Sequence, residues 1–450
     1  MSRKTLGVLL VVCLGLALPW VLVAGCGTNR PAPTQAGKVE IVFWHSYVSS
    51  TKPALDKLLK RFEAEHPSIR LKAQYVQTGN ALLQKLTTAI STNTAPDVCW
   101  IHKSWIIPLT KADSICDLDE LAEQYGGFGP AERQDMFETP LLVSHYEGKL
   151  RMMPIEATNL VLAYNRDLFR KAGLDPDRPP RTWQEFAEMG KKLVVRKNGR
   201  VEQWACAVPI FTGALESHTV WHWKFFLWGE GGLFSDPSGE KVTFNSDAGV
   251  RALQFWVDLQ HKYKIGTMTA PEQGFESEKM AMAFMGSWDL PHLRDLAFDW
   301  AVAPMPAGSV KRVSPLGGET LVVFRQTEHP KEAWEFLRWF ISPAVQEQWS
   351  EDSGYLPIRK SVLQSPSYRA FLDKDPAFKV FAEEVPYGYA EPLLLPDSDQ
   401  IDLVVSTALE KAVRRVATPK QALDEAAVKC NAILAEARER ARREQPAPSH

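Results

Sequence analysis

Residues 152–186, MMPIEATNLVLAYNRDLFRKAGLDPDRPPRTWQEF, read as a chain that leaves one lobe, crosses a hinge and enters a second. Pro154 ends a short strand, because its ring removes a ladder donor. Leu160, Val161, Leu162 and Tyr164 form a buried strand. A short helix over Asp167–Ala172 follows, which Gly173 can close in the left-handed conformation. The loop DPDRPPR then leads to Thr182, placed as an N-cap with Glu185 three residues on, as in a capping box.

Outward from that stretch, 450 residues are long for one domain, so two lobes are expected. Charged residues make up 24% and the net charge is −2, which indicates neither nucleic acid nor an acidic partner. Tryptophan is unusually frequent at 15, and each indole needs a partner for its N–H, so some belong on a working surface. Arg3 and Lys4 precede an apolar run from Leu6 to Val23, and Ala24-Gly25-Cys26 follows. This order describes a secretory signal over residues 1–25. The small residues before Cys26 resemble the lipobox of bacterial lipoproteins, whose cysteine becomes a lipidated first residue. A membrane-spanning anchor is the alternative, since the run approaches the ~20 residues a span requires. Residues 26–37 then form a flexible tether. Of the remaining cysteines, Cys99 and Cys116 are the local candidates for a disulfide, and four buried thiols are equally compatible with the spacing. No CxxC pair supports a zinc or redox site, so no metal or cofactor is expected.

The chain from Lys38 alternates in the order of a parallel sheet covered by helices. Strands are expected at Lys38–Trp44, Ile69–Tyr75 and Val98–Ile101. Helices between them carry Leu55, Leu58, Leu59 and Phe62, then Leu82, Leu83, Leu86 and Ile90. Such sheets place ligands beyond the carboxyl ends of their strands, which nominates Trp44-His45-Ser46, Gly79-Asn80 and Trp100 to Lys103. After the hinge, strands are expected at Ala205–Phe211, Lys241–Phe244, Trp300–Ala303 and Leu321–Phe324. An aromatic helix spans His218–Trp228, and Lys279–Trp288 reads as a helix ending at Gly286. Further helices run over Lys331–Ile341, from Ser342, over Ser398–Val416 and from Pro419.

The segments GKLRMMP, VLAYNRDLFRKAGLD and PPRTWQEF resemble the hinge region of the extracellular solute-binding proteins of ABC importers, family 1. That family includes maltose-, oligosaccharide- and glycerol-3-phosphate-binding proteins. STNTAPDVCW, KMAMAFMGSW, AVAPMPAG with PLGGETLVV, and KEAWEFLRWFISPAVQEQWSEDSGYLPIRKSV are similar to further segments of it, in the right order. The resemblance implies an α/β periplasmic-binding-protein fold, type II-like, with two lobes and a ligand cleft between them. The first lobe would comprise residues 38–155 plus 317–352, and the second 160–312 plus 356–440. It further implies hinge closure on a carbohydrate, delivery to an ABC permease, a monomeric state and a lipid at Cys26 holding the chain to the membrane.

Sugars present apolar C–H faces and many hydroxyls, so the candidate platforms are Trp44, Trp100, Trp221, Trp223, Trp288 and Tyr355. Trp288 and Tyr355 draw support from the resemblance. Trp221 and Trp223 lie on a helix apolar on every side, for which burial in the core is the competing reading. Polar candidates are His45, Asn80, Glu156, Thr158, Glu319 and Asp289, although Glu156 could equally grip the hinge. Gly317 and Gly318 let backbone approach a ligand closely, and Tyr387 and Tyr389 are candidates to cap the cleft. An exported carbohydrate-active enzyme is the runner-up, and glycerol-3-phosphate binders are the sharpest alternative within the family; the tyrosine and the acid their sites need stand here as Ala81 and Lys103, although Lys103 or His102 could still meet a phosphate. A glycosidase would require two carboxylates at a set separation, and no motif fixes such a pair. His218 and His222, in HTVWH, lack the internal Glu of a zincin. A non-enzymatic binder of a neutral mono- or oligosaccharide is therefore expected.

Overall fold

The computed structural model describes residues 37–444 apart from 79, 212–215, 272, 392 and 393. The expected signal peptide, Cys26 and the tether up to residue 36 lie outside the described residues. The first lobe opens as expected: β1 (Val39–His45), α1 (Lys52–Glu65), β2 (Ile69–Tyr75), α2 (Asn80–Ser91) and β3 (Val98–Ile101). Leu55, Leu58 and Phe62 bury one face of α1, and Pro53 sits in its first turn where no N–H is missed. Next come β4 (Met153–Pro154), β5 (Leu160–Asn165), the aromatic α3 (Glu216–Gly229), β6 (Met282–Gly286) and β7 (Trp300–Ala303). β8 (Thr320–Val323), α4 (Ser398–Val413) and α5 (Pro419–Glu444) follow.

Two sheets organise these elements. The first has the order β2-β1-β3-β8-β4; β1 is parallel to β2 and β3, while β8 is antiparallel to β3 and to β4. It is thus mixed rather than wholly parallel, because β8 and β4 are supplied by segments distant in sequence. Pro154 occupies the edge strand, where a missing donor is tolerated. The second sheet, β6-β5-β7, is antiparallel throughout.

Every residue of β5 is buried, and its alternation explains how. Leu160, Leu162 and Tyr164 join the apolar cluster containing Trp223 and Leu409. Val161 and Ala163 point to the other face and join the cluster containing Phe378, Phe381 and the interior of the first sheet. Each buried leucine of this kind contributes about 1.5–3 kcal/mol. Just before β5 the chain crosses between the lobes, hydrogen-bonded on both sides. Thr158 and Gly317 exchange both backbone hydrogen bonds at 3.1 and 2.8 Å, and Ala157 and Leu356 do so at 2.8 Å. Gly318 has φ +147°, and a Cβ there would stand 2.2 Å from the Glu156 carbonyl oxygen, so this position admits only glycine.

Several local expectations are corrected. KMAMAFMGSW contributes a strand, not a helix: Met282–Gly286 pairs with Leu160–Tyr164, and this ladder overrides the helical preference of Met and Ala. Of residues 241–244 only Val242 pairs, in one bridge to Ser235, and of 205–211 only Cys206–Ala207 form a strand. Thr182 accepts from the Glu185 N–H at 3.1 Å, but the Glu185 carboxylate accepts from the Arg181 N–H at 2.8 Å, one residue before the cap. Cys99, Cys116, Cys206 and Cys430 are all unpaired thiols.

Candidate functional site

β3 stops at Ile101, and the chain turns through His102, Lys103, Ser104 and Trp105 at the carboxyl edge of the sheet. Because β8 runs antiparallel and pairs Thr320 with Ile101, Glu319 arrives at the same edge. His102 bridges the two: Nδ1 lies 3.3 Å from Glu319 Oε2, and Nε2 lies 2.8 Å from the Thr78 hydroxyl. Facing this edge is α3, whose Trp221, Lys224 and Trp228 share one face at i, i+3 and i+7. The third wall is made by Ala390 and Glu391 and by residues from Leu394 into the first turns of α4. There Glu391 accepts from Lys224 Nζ at 2.8 Å. With Thr158, Gly317, Gly318 and Trp288 from around the crossing, these groups enclose a cavity of about 420 Å³. That size suits a small ligand.

The cavity wall is rich in acid. Glu216, Glu319, Glu391, Asp399 and Asp402 face it, against the two lysines Lys103 and Lys224. Burial pushes Asp402 up to about 7; Lys224 opposes this, while Asp399 and Glu391 add to it. Burial and the like charge of Lys224 bring Lys103 down to about 8. Burial also works against the Lys224 cation, but Glu391 and Asp402 outweigh it and hold its pKa above the ordinary lysine value. Burial opposes the His102 cation as well, and Glu319 more than restores it. Among the described residues, the Trp228 indole N–H, the His218 Nδ1 and Glu391 Oε1 are buried without a hydrogen-bond partner. Buried polar atoms seldom go unpaired, so in a cavity wall these are the groups for a ligand to meet.

Of the residues nominated from sequence, the structure brings His102, Lys103, Thr158, Trp221, Trp288, Gly317, Gly318 and Glu319 to this cavity. The others lie elsewhere. Trp44 and Trp100 belong to the first core, with the Lys85 ammonium 4.0 Å from the centre of the Trp44 ring. His45 is buried among Phe43, Tyr47 and Tyr75, and burial lowers its pKa to about 4. Glu156, 1% exposed, accepts from Tyr47 Oη at 3.2 Å and Trp349 Nε1 at 2.7 Å, which is the grip on the hinge. Trp223 is fully buried against Phe244. Tyr355 stacks on Trp349 at an interplanar angle of 7° and reaches Trp288 only with its ring centre 6.4 Å away. Tyr387 is exposed beneath the Arg312 guanidinium. Asp289 accepts from the Gly286 N–H at 3.1 Å and serves the local turn. Asn80 opens α2, and its side chain lies outside the described residues.

Sequence reasoning missed Trp105, Lys224, Glu391, Asp399 and Asp402; Trp228 belongs to the second core and reaches the cavity as well. Lys224 carried a signal, as the one cation inside an otherwise apolar run, VWHWKFFLW. Glu391, Asp399 and Asp402 carried none, since acids around a helix start are ordinary.

The bacterial extracellular solute-binding protein model matches residues 57–380. The sn-glycerol-3-phosphate-binding periplasmic protein of Escherichia coli is 26% identical over 416 residues, covering 88% of this chain and 92% of that one. Among solved structures, the cyclic α-maltosyl-1,6-maltose binding protein of Arthrobacter globiformis is 26% identical with a TM-score of 0.75, over 88% of this chain and 99% of that one. An ABC transporter solute-binding protein of Thermotoga lettingae, bound with α-D-tagatose, shares the fold at TM-score 0.77 and 24% identity, over 88% and 100% of the two chains. So does UgpB of Mycobacterium tuberculosis in complex with glycerophosphocholine, at 0.76 and 23%, over 89% and 100%. These relatives are binding proteins, not enzymes. With two α/β lobes joined by paired crossing segments and a cavity at the strand ends, the chain belongs to the bacterial extracellular solute-binding proteins.

Proposed function

We propose that this chain is the substrate-binding protein of an ABC importer and that its ligand is a mono- or oligosaccharide. The observation that carries the choice of ligand is the cavity wall: Trp221 and Trp288 are partly exposed there, the nearly buried Trp105 and Trp228 reach the same wall, and many hydrogen-bonding groups stand among them. Stacking surfaces with dispersed donors and acceptors suit a sugar ring, which is apolar on its faces and hydroxylated at its edge. The residues taken as lobes, 38–155 with 317–352 and 160–312 with 356–440, close on the sugar by a hinge motion at the paired crossing. The chain works as a monomer, lipidated at Cys26 after removal of residues 1–25, and presents the closed form to a permease.

Glycerol-3-phosphate is the second reading, supported by Lys103 and Lys224 in the wall and by the binding named for the Escherichia coli relative. The charge balance argues against it. A phosphate would enter a cavity where five acidic side chains face Lys103, Lys224 and a His102 already paired with Glu319, and like charges brought together there repel. Calorimetric titration with a panel of mono- and disaccharides and with sn-glycerol-3-phosphate separates the two. Saturable binding of a sugar with no heat from the phosphate is expected; binding of the phosphate alone overturns the sugar reading.

A further inference from the structure

The acids of the cavity wall outnumber the cations, and the surplus is concentrated in one place. Asp399 and Asp402 stand three residues apart in the first turns of α4, hence on one face. Both line the cavity. Of the cations in the wall, Lys224 is already engaged by Glu391 at 2.8 Å, and His102, whose charge also acts on Asp399, by Glu319 at 3.3 Å. Among the described residues neither Asp399 nor Asp402 forms an ion pair, whereas Asp397 two residues earlier is paired with Arg440. The positive end of the helix dipole supports an acid in the first turn, where Asp399 sits, but fades beyond it. Asp402 therefore has burial and two neighbouring carboxylates against it, with one shared lysine in its favour, and it is pushed up to about 7. A second, independent feature shares the wall. Trp105 and Trp228 are 2% and 3% exposed and both line the cavity, and the Trp228 indole N–H has no acceptor among the described residues. Aromatic faces attract cations as well as sugar C–H groups.

We propose that the sugar taken here is an amino sugar, whose ammonium group sits between Asp399 and Asp402 against the Trp105 and Trp228 indoles. The proposal rests on the sugar reading above and sharpens it: the neutral ligand expected from sequence gains one positive charge. A hydroxyl could donate to one of these carboxylates but would leave the charge unbalanced. An ammonium donates to both and neutralises the surplus. The free indole N–H is then left for a ring hydroxyl of the same ligand.

The test uses the full chain and matched pairs differing at one substituent: D-glucosamine against D-glucose, and the disaccharide of glucosamine against cellobiose and against its N-acetylated form. Titration calorimetry at neutral pH is expected to show the amine-bearing member binding about tenfold or more tighter than its hydroxyl counterpart, the usual range for a hydrogen-bonded charge. N-acetylation, which removes the charge, is expected to abolish the advantage. In Asp402→Asn, and separately in Asp399→Asn, the ratio between amine and hydroxyl affinities is expected to fall towards one, with a thermal melt reporting that each variant is folded. Equal or tighter binding of the uncharged sugars by the natural chain overturns this proposal and leaves the sugar reading standing. Binding of sn-glycerol-3-phosphate with no sugar of either kind overturns both.

Discussion

Trp221 and Trp223 lie two residues apart on α3, about 200° around the helix from one another, and they divide the molecule between them. Trp221 faces the cavity, with its ring centre 6.0 Å from Trp288. Trp223 is fully buried and meets Phe244 edge-on at 6.1 Å. One residue type on one helix thus lines a ligand cavity on one side and fills a core on the other. The difference shows that an all-apolar helix can still have two faces, marked here by Lys224 at the third position from Trp221. The largest expected effect follows from the dry side. Trp223→Ala should cost about 3–5 kcal/mol of stability, since the cavity left in the second core cannot be filled by solvent. Urea unfolding measures it. A loss below about 1 kcal/mol would place Trp223 outside the core and erase the division.

Trp221→Ala tests the wet side and should show the reverse profile. Its unfolding midpoint should stay near that of the natural chain, while sugar affinity falls about ten- to a hundredfold, the value of one lost stacking surface at a binding centre. Trp288→Ala should behave alike. Tyr355→Ala, by contrast, removes a ring stacked on Trp349 inside the first core and should lower stability more than affinity. A Tyr355 variant with natural stability and no binding would move the cavity wall towards the first lobe.

The same division explains which parts of the molecule were legible in sequence. The β-α-β-α-β opening, the buried strand at 160–165 and the crossing at Thr158 are written locally, in periodicity and in proline and glycine placement. Met282–Gly286 was not, because helix-forming residues were recruited to a strand by pairing with Leu160–Tyr164. Strand-end geometry pointed to the right edge of the first sheet and to His102 and Lys103. It could not separate Trp100, which lies in the core alone, from Trp105, which lies in the same core and also reaches the cavity. The wall formed by Glu391, Asp399 and Asp402 comes from 70 or more residues beyond Glu319 in sequence, and only the fold brings it back.

Two carboxylates extend the contrast, and they carry the smallest predicted effect. Glu319 stands in the cavity wall beside His102, whereas Glu156 is sealed at the crossing between Tyr47 and Trp349. Burial, with Glu319 as a nearby like charge, raises the Glu156 pKa well above its ordinary value of 4.5. The acid is therefore neutral in the folded protein at pH values where the unfolded chain has lost the proton. Folding then takes up a proton, so the stability this group contributes is complete below about 4.5 and declines as pH rises above that towards the raised folded-state value. Glu156→Gln is a near-isostere of the neutral acid and should cost less than about 1 kcal/mol at neutral pH. Its stability should lack that slope, so the advantage of the natural chain over the variant should be greatest in acid and shrink towards neutrality. Urea unfolding of both proteins across that range reads the difference directly. Parallel curves would mean that Glu156 is ionised at the hinge, and that the crossing is as open to solvent as the cavity wall holding Glu319.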